Sequence, residues 1–155
     1  MTGATDKREL ILSRLLDVLD GVQSGMVVLR NAPQIDPDSR PALILYDGDE
    51  QSEPRDPNRG GPPSIRRVRM TPSIIALASA AAENIGTAIN ELRALVVHAV
   101  LTDTTLLGYS VNGIEVTYEG AEQIVENGLR VEGAMALTFA ITYTLRTLDL
   151  VSASA

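Results

Sequence analysis

The chain has 155 residues, 45% of them apolar, with no cysteine and a formal charge of -7. That is enough for one domain with an ordinary core, and it excludes disulfides, thiol catalysis and thiolate metal sites. Negative charge argues against a broad face gripping nucleic acid, which needs clustered cations.

With four Tyr, one Phe and no Trp, the core must be built from Leu, Ile, Val and Ala. No run approaches the length that crosses a bilayer, and the charged start TDKRE lacks the apolar core of a signal peptide. The expectation is a soluble protein, cytoplasmic when made, with no membrane partner. The whole chain, 1–155, reads as a single domain with flexible ends at 1–5 and 149–155.

Asp6 and Glu9 have the spacing of a capping box and open a first helix. Ile11, Leu15, Val18, Leu19 and Val22 form its apolar stripe, worth about 10 kcal/mol of burial before chain entropy is subtracted. Leu10 falls outside that stripe. Residues 26–29 are apolar and β-forming, and a Pro- and Asp-rich connection, 34–40, leads to a second strand at 42–46 lying beside the first. From 47 to 64 there is no apolar residue except proline, while four prolines, three glycines and five carboxylates are present. This stretch reads as a long mobile loop.

Ile65, Val68 and Met70 alternate imperfectly with Arg66, Arg67 and Arg69 in a third strand. Charge pairing across to the acidic loop is expected. Pro72 interrupts, and 73–79 reads as a further short strand. Strands two and three then form a hairpin with an outsized connection, longer than the usual 2 to 5 or so residues.

The second helix is the clearest element: Ile85, Ile89, Leu92, Val96 and Val100 share one face, with Glu83, Thr87, Asn90, Glu91 and His98 opposite. Val97 and Leu101 spill outside the stripe, which suggests a second burial surface. The chain breaks away over 103–107. Asn112-Gly113 is a turn signal before a half-exposed strand carrying Ile114, Val116 and Tyr118. Residues 120–128 read as an acidic connection with a short helical turn. From Met135, Leu137, Phe139, Ile141, Tyr143 and Leu145 alternate with Ala136, Thr138, Ala140, Thr142 and Thr144. One face of this strand is core. The other is small and hydroxylated, which admits a helix or a neighbouring subunit. The fold class is α+β: a mixed, mostly antiparallel sheet packed against two main helices.

Few constellations point to chemistry. Asp47, Asp49 and Glu50 are oxygen ligands of the kind a hard cation takes, but Glu53 and Asp56 sit among prolines without the register of a metal loop, and a solvated acidic turn is the simpler account. A nuclease on paired carboxylates wants a nearby lysine, and Lys7 lies on the first helix. His98, the one histidine, has no nucleophile at motif spacing. Gly60-Gly61-Pro62-Pro63 is too proline-bound to cradle phosphate, and no GxxxxGK[ST] occurs. Neither a metal nor another cofactor is expected.

The order helix, RNAP at 30–33, PALILYDGDE at 41–50, long polar loop, RRVRMTPSI at 66–74, AAENIGTAINELRALV at 81–96 and MALTFAITYTLR at 135–146 resembles the tail terminator family of long-tailed bacteriophages, also called minor tail or tail completion proteins. The resemblance runs from about Leu10 to Arg146 and rests on pattern and spacing. It implies a small α/β subunit, a sheet flanked by helices, in a homohexameric ring that caps the tail tube and then meets the head connector. DNA passes through the lumen without sequence-specific binding, and no enzyme activity is implied. The location implied is the head-proximal end of the virion tail, after assembly in the host cytoplasm. Joining proteins of the phage neck share the size and composition and are the alternative, and a metal-dependent enzyme using Asp47, Asp49 and Glu50 is the competing class. Candidate assembly contacts are Asp47, Asp49, Glu50, Arg55 and Arg59 of the loop, the neighbouring Arg66, Arg67 and Arg69, and the spilled face at Val97 and Leu101.

Overall fold

A computed structural model describes residues 6–32, 39–58, 60–62, 64–126, 128–147 and 150. The expected flexible ends at 1–5 and 149–155 lie outside them except for Leu150, as do Arg59 and most of the 34–40 connection.

Helix α1, Lys7–Asp20, begins where Asp6 takes the N-cap, its carboxylate accepting from the Arg8 amide at 3.0 Å. Glu9 does not close the expected capping box. It reaches instead to Arg30, described below. The buried stripe is Ile11, Leu12, Leu15 and Leu19. Leu12 joins it, while Val18 and Val22 pack at its margin. Burying four such side chains is worth about 8 kcal/mol before chain entropy is counted, so tertiary packing holds this helix.

The sheet has five strands in the order β1-β2-β3-β5-β4. β1 is Val27–Arg30, β2 Ala42–Ser52, β3 Ile65–Leu77, β4 Val116–Glu126 and β5 Leu129–Arg146. β1 and β2 are parallel, and the other pairs are antiparallel. With α1 and α2, Ile85–Thr102, this is the mixed, mostly antiparallel α+β domain expected from the sequence.

Three strands run further than their composition predicts. β2 continues through the acidic turn to Ser52, so the expected 47–64 loop shrinks to 53–64. β3 runs unbroken through Pro72, where a strand break was expected. One bulge reconciles both departures. Tyr46 pairs with Ser73 and Asp49 with Thr71, so β2 carries one extra residue opposite Pro72, the residue that cannot donate to the ladder. Gly48 supplies the positive φ of 73° there. β4 likewise continues where 120–128 was expected to be a connection with a helical turn.

The main core lies between the helices and one sheet face, with Leu43, Leu45, Met70, Ile74, Leu137, Phe139, Ile141 and Tyr143 from the strands and Ile89, Leu92, Val96 and Val100 from α2. The alternation in β5 is therefore borne out from Leu137 to Tyr143. A smaller cluster on the opposite face, around Ala42, Ile44, Leu77 and Ala134, contains no helix residue. β2 is thus buried on both sides at its start, as a continuous apolar run requires.

By length and composition α2 does qualify as a membrane-crossing helix, having 18 residues of mean hydropathy 1.2, against the expectation that no run does. Four of its residues, Ile89, Leu92, Val96 and Val100, are buried on one stripe that joins the main core. Where the chain breaks away after α2, it forms a short helix α3, Thr104–Tyr109, and a single 3₁₀ turn, Val111–Gly113. Asn112 and Gly113 both have positive φ, as the turn signal predicts. Ile114, expected to face the core, is exposed.

Candidate functional site

The acidic stretch after Tyr46 does not converge on a point. Because β2 remains a strand, successive side chains leave in different directions, and the bulge at Gly48 shifts the phase by one residue. Asp47 turns to Arg30, which donates through Nε at 2.8 Å and Nη2 at 3.0 Å. The same guanidinium holds Glu9 bidentately at 2.8 and 2.9 Å, tying α1, β1 and β2 together. Hydrogen bonds from Arg30 hold the Glu9 and Asp47 carboxyls below the usual carboxylate range against a smaller desolvation effect. Those two carboxylates keep Arg30 firmly charged.

Glu50 points to the helix side of the sheet and accepts a hydrogen bond from the Tyr143 hydroxyl. Burial, then Glu50, push the phenol well above its ordinary value. Arg8 approaches Glu50 at 4.0 Å and donates to the Gly48 carbonyl at 2.7 Å. Asp49 is exposed and paired in register with Thr71. No group of three or more His, Cys, Asp or Glu placed to hold a metal occurs among the described residues.

The arginines also separate. Arg55 is exposed, its amide donating to Glu53 at 3.4 Å, and Arg59 lies outside the described residues. Arg66 staples the loop after β2 through Nη1, which donates to the carbonyls of Asn58, Pro62 and Ile65 at 2.9, 2.7 and 2.7 Å. Asp56 is buried at the root of that loop and accepts the amides of Asn58 at 2.8 Å and Arg67 at 3.0 Å. Desolvation pushes its carboxyl up, but these two donors, helped by the charges of Arg66 and Arg67, outweigh it and leave the group below its ordinary value. Arg69 forms an ion pair with Glu119 on β4. Of the charge pairing expected across to the acidic loop, Asp56 feels the charges of Arg66 and Arg67, whereas Arg69 pairs with Glu119 on β4 and Arg66 also binds the loop backbone.

Val97 and Leu101 are half-buried against the main core, on the helix that α1 and α3 pack against. The second burial surface that their position predicted lies inside the domain. Asp103 completes it: its Oδ2 accepts the Leu106 amide, capping α3, while both oxygens take Arg14 of α1 at 2.8 and 2.6 Å.

The most exposed apolar surface lies elsewhere. β5 pairs with β3 only as far as Ala134, opposite Leu77, whereas its pairing with β4 continues to Leu129 opposite Glu126. The β4-β5 hairpin therefore extends past the sheet as a two-stranded arm. Val125 and Leu129 near its tip are 61% and 74% exposed. The base is held by the Ala78 amide donating to the Gly133 carbonyl at 2.8 Å and by Arg40 donating to the Glu132 carbonyl at 3.2 Å. The sequence Asn127-Gly128 was the available signal, because Asn-Gly favours tight hairpin turns, and Gly128 has φ 77°. The carboxylates around it masked the alternation.

Scans of the chain find no matching family among known protein families and no relative among curated proteins.

Proposed function

We propose that this chain is the structural subunit of a phage tail terminator, a homohexameric ring that caps the tail tube, ends its polymerisation and offers its other face to the head connector, with DNA passing through the lumen. The starting point is the resemblance over residues 10–146. The observation that carries the reading furthest is the projecting β4-β5 arm, whose tip exposes Val125 and Leu129 beyond the sheet. A cyclic ring needs two different patches on each subunit. An arm is one such patch, and the helix-free face around Ala136, Thr138 and Ser73 supplies small side chains that allow a neighbour to approach closely. The proposal assigns no catalytic step, and it moves the principal contact away from Val97 and Leu101 to the arm.

The chain between Ser52 and Ile65 leaves the sheet at the opposite end, beside the Ile65 and Arg146 pair, and is suited to meet the next ring in the stack. Electron microscopy of the purified protein tests the reading. Six-fold rings support the terminator, twelve-fold rings favour a neck connector, and discrete single subunits reject both. In an assembly assay, deletion of residues 53–63 is expected to disturb tail length or head joining. Unaffected tails would remove the loop from the proposal.

A further inference from the structure

A pocket of about 460 Å³ opens between the start of α1, the end of α3 and the last residues of β5. Lys7, Arg67 and Arg146 line it together with Tyr109, Asn112 and Thr144, and no carboxylate does. In a chain carrying seven more negative than positive charges, this is an inversion of the local field. None of the three cations is in an ion pair among the described residues. Asp56 feels the Arg67 charge, but its two oxygens are occupied by backbone amides.

One further observation sharpens the point. Lys7 is the first residue of α1, where the helix dipole is positive and a cation is unfavourable, whereas an anion there is stabilised. Like charges gathered at one concave site repel one another, and a bound anion removes that repulsion.

We propose that the pocket lined by Lys7, Arg67 and Arg146 is a binding site for a compact, multiply charged oxyanion of the phosphate class. Arg67 supplies the directional guanidinium fork, Lys7 a point charge, and Arg146 closes the outer rim, where it is exposed. The Thr144 and Tyr109 hydroxyls and the Asn112 amide are neutral donors for the remaining oxygens. The phosphate can be free or part of a polynucleotide backbone. The site does not depend on the ring reading.

Calorimetric titration of the full chain with pyrophosphate at low ionic strength tests this, alongside fluorescence anisotropy with a labelled oligonucleotide. Saturable pyrophosphate binding is expected, weakened about tenfold or more by Arg67→Met and by Arg146→Gln and unaffected by Arg93→Gln on α2. Arg146→Gln alters an exposed side chain at a strand end, so its melting temperature should match the parent and separate lost binding from lost folding. Oligonucleotide binding with the same variant dependence assigns the site to a phosphodiester backbone, and pyrophosphate binding alone assigns it to a free phosphate. No saturable binding of either probe, or binding indifferent to Arg67→Met and Arg146→Gln, overturns the proposal.

Discussion

Replacing Gly48 with alanine tests the bulge that organises the acidic edge. A Cβ at this position would lie 2.0 Å from the Thr71 carbonyl oxygen, 2.7 Å from its carbon and 3.1 Å from the Pro72 Cα. All three are backbone atoms, so no rotamer change relieves the contact, and the ring of Pro72 fixes its own φ. Left-handed backbone costs an alanine about 1–2 kcal/mol. Opening the bulge sacrifices about two ladder hydrogen bonds, at about 1 kcal/mol each. Gly48→Ala should therefore destabilise the domain by about 3 kcal/mol, or about 6–12 °C in Tm for a chain of this size. Thermal and urea unfolding followed by circular dichroism measure it. Gly86→Ala is the internal control, because Gly86 is exposed on α2 with nothing within 4 Å of its Cβ position. That change should stabilise by about 0.5–1 kcal/mol. Gly48→Ala melting within about 2 °C of the parent, with Gly86→Ala behaving as expected, refutes the account of the bulge.

The ion-paired carboxylates make acid stability specific. Glu9 and Asp47 have lowered folded-state values, so their contribution is present above the ordinary 4.5 and 3.8 and is lost as pH falls through the folded values. Arg30→Gln should flatten that acid limb in urea midpoints measured across pH, and an unchanged slope would show that Arg30 does not set it. Asp103→Ala removes both the α3 cap and the Arg14 clasp and should cost about 1–2 kcal/mol, with Asp103→Asn in between because an amide can still cap the helix. Equal losses in the two variants would mean that the charge, and not the cap, carries the effect. Tyr143 is fully buried with its hydroxyl on Glu50, so alkaline difference spectra of the parent and of Tyr143→Phe should coincide until unfolding and differ by one phenolate only after it. A difference of one phenolate between the two before unfolding would contradict that burial.

What could be read from the sequence followed how sharply each segment's side chains divide between core and water. The strand 135–145 and the helix from Ile85 have strict periodicity, and both formed as expected. The missed pieces are strands whose side chains carry little burial. Residues Asp47 to Ser52 are polar or glycine and Ala121 to Val125 are mostly exposed, and they stay in the sheet because neighbouring strands already offer paired backbone. Pro72 looked like a break because its tolerance depends on a bulge in another strand, a non-local fact. Val97 and Leu101 looked like a docking face because the part of the main core they pack against could not be placed by periodicity. The arm tip was hidden by acids flanking Asn127-Gly128. The basic pocket joins residues 7, 67 and 146, which only the fold brings together.

The central claim is self-assembly through the β4-β5 arm, and native mass measurement of the parent and of Leu129→Asp tests it most directly. Leu129 is 74% exposed in the single subunit, so the substitution should leave the fold and melting temperature unchanged. The account predicts a closed species of six 16.6 kDa subunits for the parent and a single subunit for the variant. A parent that stays at one subunit at every concentration, or a variant that assembles as the parent does, would contradict it.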